Sequence, residues 1–352
     1  MAKTNSFFAT VLSCGGGAAL FNIQQVRKMR KKRLTAIFAC ACVCVFFLSA
    51  CAPAPCTDES FYMNTIITQS LYTKDTQVLA QNNEILREME HAMSRTIKDS
   101  DVSRLNADKK AEVSPDTVAV IEEALKVSKQ TNGAFHVALG KVMEVWGFGT
   151  DEAHVPTRLE LDAIKDTTDD TQICIDGDTV KLGTAQIDLG GAAKGFALDK
   201  LAQNIKDHNI ESALISIGGS IYARGKKPNG QPYKIGIRDP QGTQSDYLAV
   251  IEIDDACIST SGVYERGFVQ DGVYYHHLID SKTLAPVKNN LASVSVVSKS
   301  GIQTDLYSTA LFVMGLTDGL RFANEQGIDA VFITDQNEIV LTDGFGYGFT
   351  KK

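Results

Sequence analysis

Two stretches of the chain carry residue types that could bind a charged ligand. The first is IDLGGAAKGFALD, residues 187–199, in which a strand-like run meets two glycines and then a helix that carries Lys194. Glycines allow close approach of a ligand to the backbone, and free N–H groups at a helix start favour an anion. The GxxxxGK[ST] spacing of a P-loop is absent. Taken alone, the stretch predicts either a phosphate-binding turn or an ordinary strand-to-helix connection.

The second stretch is TDLYSTALFVMG, residues 304–315. Asp305 and Thr309 are four residues apart, so a helix would place both side chains on one face. A carboxylate and a hydroxyl can supply oxygen ligands to a hard cation such as Mg²⁺. The simpler interpretation is that Thr304 or Asp305 caps a buried apolar helix.

A third group combines hydroxyls with histidines. CISTSGVYERG, residues 257–267, reads as a strand end that turns sharply, with Ser259, Thr260 and Ser261 before Gly262. A further strand carries the histidine pair His276-His277. Adjacent strand residues face opposite sides, so only one of the two can enter a given site. No Ser-His-Asp or HExxH pattern accompanies them. A structural histidine therefore remains an alternative.

The segment TNGAFHVALGKVMEVWGFG, residues 131–149, holds the single tryptophan, Trp146, between Phe135 and Phe148. Aromatic side chains flanked by glycines can form the wall of a pocket for a flat ligand. On this interpretation Trp146 is a cofactor-binding residue. An ordinary aromatic core is the alternative.

The elements that must position these residues indicate an α+β fold. The predicted helices lie at about 76–94, from 115 to 131 after an N-cap at Ser114, at 191–207 and at 304–315. A strand is predicted at 60–73, a loop at 98–110, and β signals dominate from 172 onward, including an Asp176-Gly177 hairpin. Hairpin-grouped strands with inserted helices predict a mostly antiparallel sheet rather than alternating βαβ units.

Composition narrows the class of partner. The 352 residues are 44 % hydrophobic and carry a net charge of −7. A general nucleic-acid binder would need a basic face, so no nucleic-acid partner is expected.

The N-terminal residues predict an export signal. A basic cluster at 27–33 precedes the apolar run Leu34–Leu48, and LSAC ends at Cys51. LSAC resembles a bacterial lipobox, which implies that Cys51 is lipidated and anchors the chain on the extracytoplasmic face, in a periplasm or at the cell exterior. A signal anchor that stays uncut is the alternative. The predicted order is a mis-assigned start at 1–28, a signal at 29–50, a lipidated tether at 51–59 and one domain at 60–352.

An exported chain would enter an oxidising compartment, where disulfides can form. Cys174 and Cys257 could pair there, although their spacing alone does not show that they do.

Ordered motifs carry a resemblance to the ApbE family, the FAD:protein FMN transferases, over about residues 58–345. They are MNTIIT, SRLN, TNGAFHVALGKVMEVWGFG, IDLGGAAKGFALD, ALISIGGSIYARG, IGIRDP, STSGVYERGF, YHHLIDSKTLAPV and TDLYSTALFVMG. So many matches in one order make the resemblance specific. It implies the fold of that family, which is similar to a T-fold.

The resemblance also implies roles for individual residues. The metal ligands would be Asp305, Thr309 and a backbone carbonyl of Ala192 or Ala193. The FAD contacts would come from Tyr62, Met63, Thr65, Lys194, Asp199 and the Ser259–Gly262 turn. His277 would receive the proton of the acceptor threonine, for which a pKa near neutrality is suited.

Several positions depart from the family pattern. Asn64 replaces a glycine, His136 and Ser220 each replace an aspartate, and DPRTG becomes DSKTL through Ser281 and Leu284. The metal pair and the glycine turn are kept. We therefore expect FAD and metal binding, with transfer efficiency and target choice less firmly implied.

The implied activity is Mg²⁺-dependent transfer of FMN from FAD to a threonine of an exported flavoprotein, with release of AMP. A Mg²⁺-dependent FAD pyrophosphatase that yields FMN and AMP would use the same site with water as the nucleophile. A non-catalytic FAD-binding lipoprotein is the third alternative.

Overall fold

The computed structural model describes residues 54–352. Their largest element is one eight-stranded antiparallel sheet. The predicted leader at 1–50 and the lipidation site Cys51 lie outside the described residues. Within 54–352, none of the helices combines the length and the apolar character needed to cross a bilayer.

Seven α-helices lie in the described range. They are α1 (Gln77–Met93), α2 (Asp101–Asp108), α3 (Pro115–Gln130), α4 (Gly140–Trp146), α5 (Arg158–Ile164), α6 (Ala193–Asp207) and α7 (Gly301–Gln326). Two short 3₁₀ turns, at Lys165–Thr168 and Asp170–Gln172, follow α5.

The main sheet has eight strands in the order β1-β2-β6-β7-β10-β15-β16-β17. These are β1 (Cys56–Tyr62), β2 (Thr65–Leu71), β6 (Ala213–Ile217), β7 (Ser220–Arg224), β10 (Ala256–Gly262), β15 (Leu291–Ser298), β16 (Asp329–Thr334) and β17 (Ile339–Leu341). All of their pairings are antiparallel. The first strand already begins inside the predicted tether.

The remaining strands form smaller sheets. One has the order β18-β9-β8 and another the order β3-β5-β4, while β11-β12 and β13-β14 are two-stranded ribbons. Their bounds are β3 (Lys110–Glu112), β4 (Cys174–Asp176), β5 (Thr179–Lys181), β8 (Tyr233–Arg238), β9 (Tyr247–Ile253), β11 (Gly267–Gln270), β12 (Val273–His276), β13 (Ile279–Asp280), β14 (Ala285–Pro286) and β18 (Gly348–Lys351).

Alternating side chains give the main sheet two packed faces. Ile67 and Leu71 of β2 are fully buried in a core cluster with residues of α1 and α6, such as Leu86 and Leu201. A second cluster joins the other face to the β8–β9 ribbon, with Ile251 among its members. Alternation of this kind follows from the two-residue period of a strand.

The α+β, mostly antiparallel prediction is confirmed, as are the helices near 77–93 and 115–130. Ser114 is the N-cap of α3, and its hydroxyl accepts a hydrogen bond from the backbone N–H of Thr117. The predicted hairpin at Asp176-Gly177 joins β4 to β5. The two helices predicted at 191–207 and 304–315 are α6 and part of α7.

Two local predictions are wrong. The loop predicted at 98–110 contains α2, because Ser100 caps a short helix that buries Val102 and Leu105. The single strand predicted at 60–73 is a hairpin of β1 and β2. Met63 and Asn64 form its turn with φ values of 55° and 57°, and a two-residue hairpin loop of this type requires positive φ at both positions.

The late helix also differs from the prediction at both ends. It begins at Gly301, its N-cap is Ser300, and it continues to Gln326 across a non-helical residue, Gly315, at φ 78°. Neither of the predicted caps, Thr304 or Asp305, is the N-cap. Similarly, His276 ends β12, and His277 lies between two strands rather than inside one.

Candidate active site

The candidate site lies where α6 and α7 cross at their first turns. A Cβ atom on Gly195 would collide with the carbonyl oxygen of Gly301, and a Cβ on Gly301 would collide with that of Gly195. Only glycine lets both backbones approach so closely. The crossing therefore fixes the start of α6, which carries Lys194, beside the start of α7, which carries Asp305.

Asp305 is the buried carboxylate at this crossing, with 5 % of its surface exposed. Its Oδ2 accepts a hydrogen bond of 2.7 Å from the backbone N–H of Gly195, and its Oδ1 accepts one of 2.7 Å from the hydroxyl of Ser220. The Nζ of Lys194 lies 4.0 Å from Oδ2. Each carboxylate oxygen keeps a further lone pair, so Asp305 can still accept a ligand.

Asp199 faces the start of α7. Its Oδ1 accepts a hydrogen bond from the N–H of Gly301 at 2.6 Å, and its Oδ2 accepts one from Ile302 at 2.9 Å and one from the hydroxyl of Ser300 at 3.3 Å. Burial, with a smaller contribution from the charge of Asp305, raises the pKa of Asp199, against these hydrogen bonds. The residue predicted to contact FAD thus directs both oxygens at a helix start.

Hydroxyls from β10 meet α7 on the strand side. The Oγ of Ser261 lies 3.0 Å from the Oγ1 of Thr309 and 2.9 Å from the Oγ of Ser308. The Oγ of Ser259 lies 2.7 Å from the Oγ1 of Thr304. Alternation along the strand turns the intervening Thr260 away, to a 2.7 Å contact with Ser295 of β15. Of the predicted hydroxyls, the structure thus brings two to α7.

The glycine turn before α6 positions the two alanines and the lysine. Ala192 is the N-cap of α6, and its carbonyl accepts the N–H of Phe196 at 3.0 Å, which leaves one lone pair for another ligand. Ala193 is the first residue of the helix. The Nζ of Lys194 lies 3.4 Å from the carbonyl of Gly190 and is partly exposed.

His277 has one committed and one uncommitted ring nitrogen. Its backbone N–H and its Nδ1 both lie 3.1 Å from the carbonyl oxygen of Arg266. A carbonyl only accepts, so Nδ1 carries the proton and Nε2 keeps its lone pair. Burial, and then the positive charges of Arg266 and Lys194, lower the pKa of His277 to about 4. The imidazole is therefore neutral at pH 7.

The β1–β2 hairpin lies against the turn that joins β6 to β7, the strand that supplies Ser220. The N–H of Met63 donates to the Oε1 of Glu90 at 2.7 Å. A Cβ on Gly218 would lie 2.8 Å from the Oγ1 of Thr65, so this threonine packs against the turn that leads into β7. These contacts hold Met63 and Thr65 in place, and Tyr62 packs against the main core cluster.

Trp146 lies in a packed aromatic cluster. It is 2 % exposed, its ring stacks on Phe148 with centroids 5.4 Å apart, and its Nε1 donates to the carbonyl of Leu284 at 2.8 Å. Phe268 and Tyr275 pack around the same ring. The geometry is that of the aromatic-core alternative, with little ring surface left for a cofactor.

His136, which departs from the family pattern, forms a buried ion pair. Its Nε2 donates to the carbonyl of Thr168 at 2.7 Å, and its Nδ1 lies 3.2 Å from the Oδ2 of Asp170. Burial opposes the charged form, but the bonds to Asp170 and Thr168 outweigh it and raise the pKa of His136. Acceptor oxygens of Asp170 and Thr168 thus lie beside both ring nitrogens, an arrangement that favours the charged form of the ring.

The donor set at the crossing fits a hard cation. Asp305, Thr309 and an alanine carbonyl would offer the oxygen atoms that Mg²⁺ prefers, and Mg²⁺ usually completes its shell with water and substrate phosphates. Among residues 54–352 no group of three or more His, Cys, Asp or Glu side chains could hold a metal. Cys174 and Cys257 are both free thiols in the structure, so they form no bridge with each other.

Two contributors were not assigned to the site from the sequence. Ser220 was noted only as a departure from an aspartate, although a buried hydroxyl next to a glycine pair could have suggested a partner for a carboxylate. The backbone carbonyl of Arg266 selects the tautomer of His277, and no side-chain pattern signals a carbonyl contact of this kind.

The fold is that of solved flavin transferases. The flavin transferase ApbE from Vibrio cholerae superposes with a TM-score of 0.75 at 31 % identity, covering 83 % of this chain and 99 % of that one. The ApbE protein from Thermotoga maritima gives a TM-score of 0.77 at 28 % identity, covering 83 % and 98 %.

The sequence comparison identifies the family. The ApbE family model matches residues 63–332, and the chain belongs to the ApbE family. A FAD:protein FMN transferase from Vibrio cholerae is 35 % identical over 75 % of this chain and 79 % of that protein. One from Treponema pallidum is 35 % identical over 74 % and 78 %.

Proposed function

We propose that this chain transfers FMN from FAD to a threonine hydroxyl of a target flavoprotein and releases AMP. The supporting observation is a neutral His277 with a free Nε2, close enough to Lys194 for the lysine charge to lower its pKa. A general base and a cation for phosphate would thus act on the same ligand. Family relatives bear the name FAD:protein FMN transferase.

Lys194, at the start of α6, would face the pyrophosphate of FAD. A helix start and a lysine both favour negative charge. Asp305, Thr309 and the carbonyl of Ala192 or Ala193 would hold Mg²⁺. When bound there, Mg²⁺ would neutralise charge on the phosphate oxygens and orient them.

His277 would act on the attacking hydroxyl. Its Nε2 accepts the threonine proton while the threonine oxygen bonds to the FMN-side phosphorus. The bond from that phosphorus to the bridging oxygen breaks, and AMP leaves with the oxygen. The proton on His277 then passes to solvent. His277 is unprotonated at neutral pH, but a pKa of about 4 makes it a weaker base than the near-neutral histidine expected from the sequence.

The proposed location is the extracytoplasmic face of a membrane, with the chain held by a lipid on Cys51. The LSAC ending of the apolar run and the polar tether after it support this proposal. The acceptor would then be an exported flavoprotein domain with an accessible threonine.

The products of one incubation test the function. The full chain in detergent is mixed with FAD, Mg²⁺ and a candidate acceptor domain, and AMP, free FMN and protein-bound flavin are measured. Transfer predicts AMP with flavin on the acceptor, and no label on an acceptor whose threonine is changed to valine. AMP with free FMN would instead indicate a pyrophosphatase, and FAD binding without AMP would indicate a storage protein.

A further inference from the structure

The first turns of α6 and α7 hold each other through two carboxylates. Asp199, in the second turn of α6, bonds to the start of α7 at Gly301 and Ile302. Asp305, in the second turn of α7, bonds to the start of α6 at Gly195. Each helix thus supplies the acceptor for N–H groups that the other helix leaves unpaired.

Asp199 supplies side-chain hydrogen bonds to the first N–H groups of α7. Ser300, the N-cap, makes no side-chain capping bond, so the first N–H groups of α7 depend on the carboxylate from α6. The bonds are 2.6 Å and 2.9 Å long. A charged acceptor at a helix start is among the stronger caps.

The position of α7 determines where Asp305 lies. Asp305 follows Gly301 by four residues, about one helical turn, so a shift of the helix start moves its carboxylate by a similar distance. Metal sites require ligands within about 0.5 Å of the productive geometry. Loss of the Asp199 bonds would therefore disturb the proposed metal ligand without touching it.

We propose that Asp199 is a positioning residue that holds Asp305 in place for the metal, and that it makes no contact with FAD. This inference rests on the proposed function, because it assumes that the metal bound by Asp305 takes part in FMN transfer. The strand side of α7 is held separately by the 2.7 Å contact of Ser259 with Thr304. Asp199 thus controls the α6 side of the crossing.

Mn²⁺ binding tests the proposal without FAD or acceptor. It is measured by electron paramagnetic resonance as the loss of the free-ion signal. The full-length variants are Asp199→Asn and Asp101→Asn. Asp101 is a matched control because it also bonds to a helix start, at the N–H of Ser114 (2.8 Å) and the hydroxyl of Thr117 (2.9 Å), on α3. FAD affinity is measured in parallel by flavin fluorescence in EDTA.

We expect both variants to lose thermal stability, and only Asp199→Asn to raise the Kd for Mn²⁺, by about tenfold. Its FAD Kd in EDTA should stay within about twofold of wild type, since no contact with FAD is lost. If Asp199→Asn does not fold, Ser300→Ala removes a single bond to Asp199 and should raise the Mn²⁺ Kd by about two- to threefold.

The proposal would be overturned by an unchanged Mn²⁺ Kd in Asp199→Asn. If that variant does not fold, an unchanged Mn²⁺ Kd in Ser300→Ala would overturn it. So would an equal rise in Asp101→Asn, a large loss of FAD affinity in EDTA, or a wild-type chain that binds no Mn²⁺. Failure of the proposed function would look different, because Mn²⁺ binding would follow the expected pattern while no flavin reached an acceptor.

Discussion

Acidification should leave FMN transfer almost unchanged until the pH approaches 4. The physical reason is the lowered pKa of His277, about 4, which follows from burial and from the nearby positive charges of Arg266 and Lys194. The carbonyl of Arg266 fixes the proton on Nδ1, so the neutral ring always presents Nε2. The rate should track the fraction of chains in which this ring is neutral.

At pH 5.5 the fraction of neutral His277 differs strongly between a lowered pKa and an ordinary one. With a pKa of about 4, roughly 97 % of His277 rings are neutral there, whereas an ordinary histidine with a pKa of about 6.5 would be only about 9 % neutral. The two cases thus differ about tenfold in kcat/KM at pH 5.5 relative to pH 8, since kcat/KM reports groups of the free enzyme.

The same shift has a consequence for stability. Because the folded pKa of His277 is lowered, the unfolded chain binds a proton below pH 6.5 that the folded chain refuses until about pH 4. This residue therefore lowers the free energy of unfolding as the pH falls through that window.

The assay is AMP release from FAD with acceptor, from pH 4.5 to 8, at saturating Mg²⁺. In a matched series with His277→Gln, AMP release should be slower by about 10²-fold. Its pH profile should show no acidic fall in rate that comes from residue 277. An acid limb in the wild-type chain with a midpoint near 6.5 would refute the reasoning, because it would show an imidazole that titrates as if free in water.

Three further predictions follow from the site. Asp305→Ala should abolish Mg²⁺-dependent AMP release, whereas Asp318→Ala, an exposed aspartate of the same helix, should retain it. Gly195→Ala should lower the free energy of unfolding in urea by about 2 kcal/mol, because its Cβ would overlap the carbonyl of Gly301. His136→Asn should lower the free energy of unfolding in urea by about 1 kcal/mol at pH 6 and by less at pH 9. The raised pKa of His136 stabilises the fold below its unfolded pKa, and this gain is lost as the pH rises through the folded pKa. Equal losses at both pH values would contradict the ion pair.

Local patterns predicted the elements better than the contacts between them. The N-cap at Ser114 and the hairpin at Asp176 are set by neighbouring residues, and both are confirmed. The helix at 101–108 was missed because its apolar face is only two residues wide, Val102 and Leu105, within a polar run.

A spacing within one element is visible in the sequence, whereas a contact between two elements is not. Asp305 and Thr309 lie four apart on one helix, and their spacing is visible in the sequence. The part played by Asp199 depends on a crossing of two helices more than 100 residues apart in the chain, at two glycines that nothing in a single sequence links. Family resemblance assigned it to the ligand, whereas its oxygens face a helix start.

Peptide mapping of an acceptor after incubation with FAD and Mg²⁺ tests the central claim most directly. Transfer predicts one FMN on one threonine of the acceptor for each AMP released, and neither product with Asp305→Ala. AMP formed in excess over bound FMN, with the acceptor threonine unmodified, would contradict transfer of FMN to protein by this site.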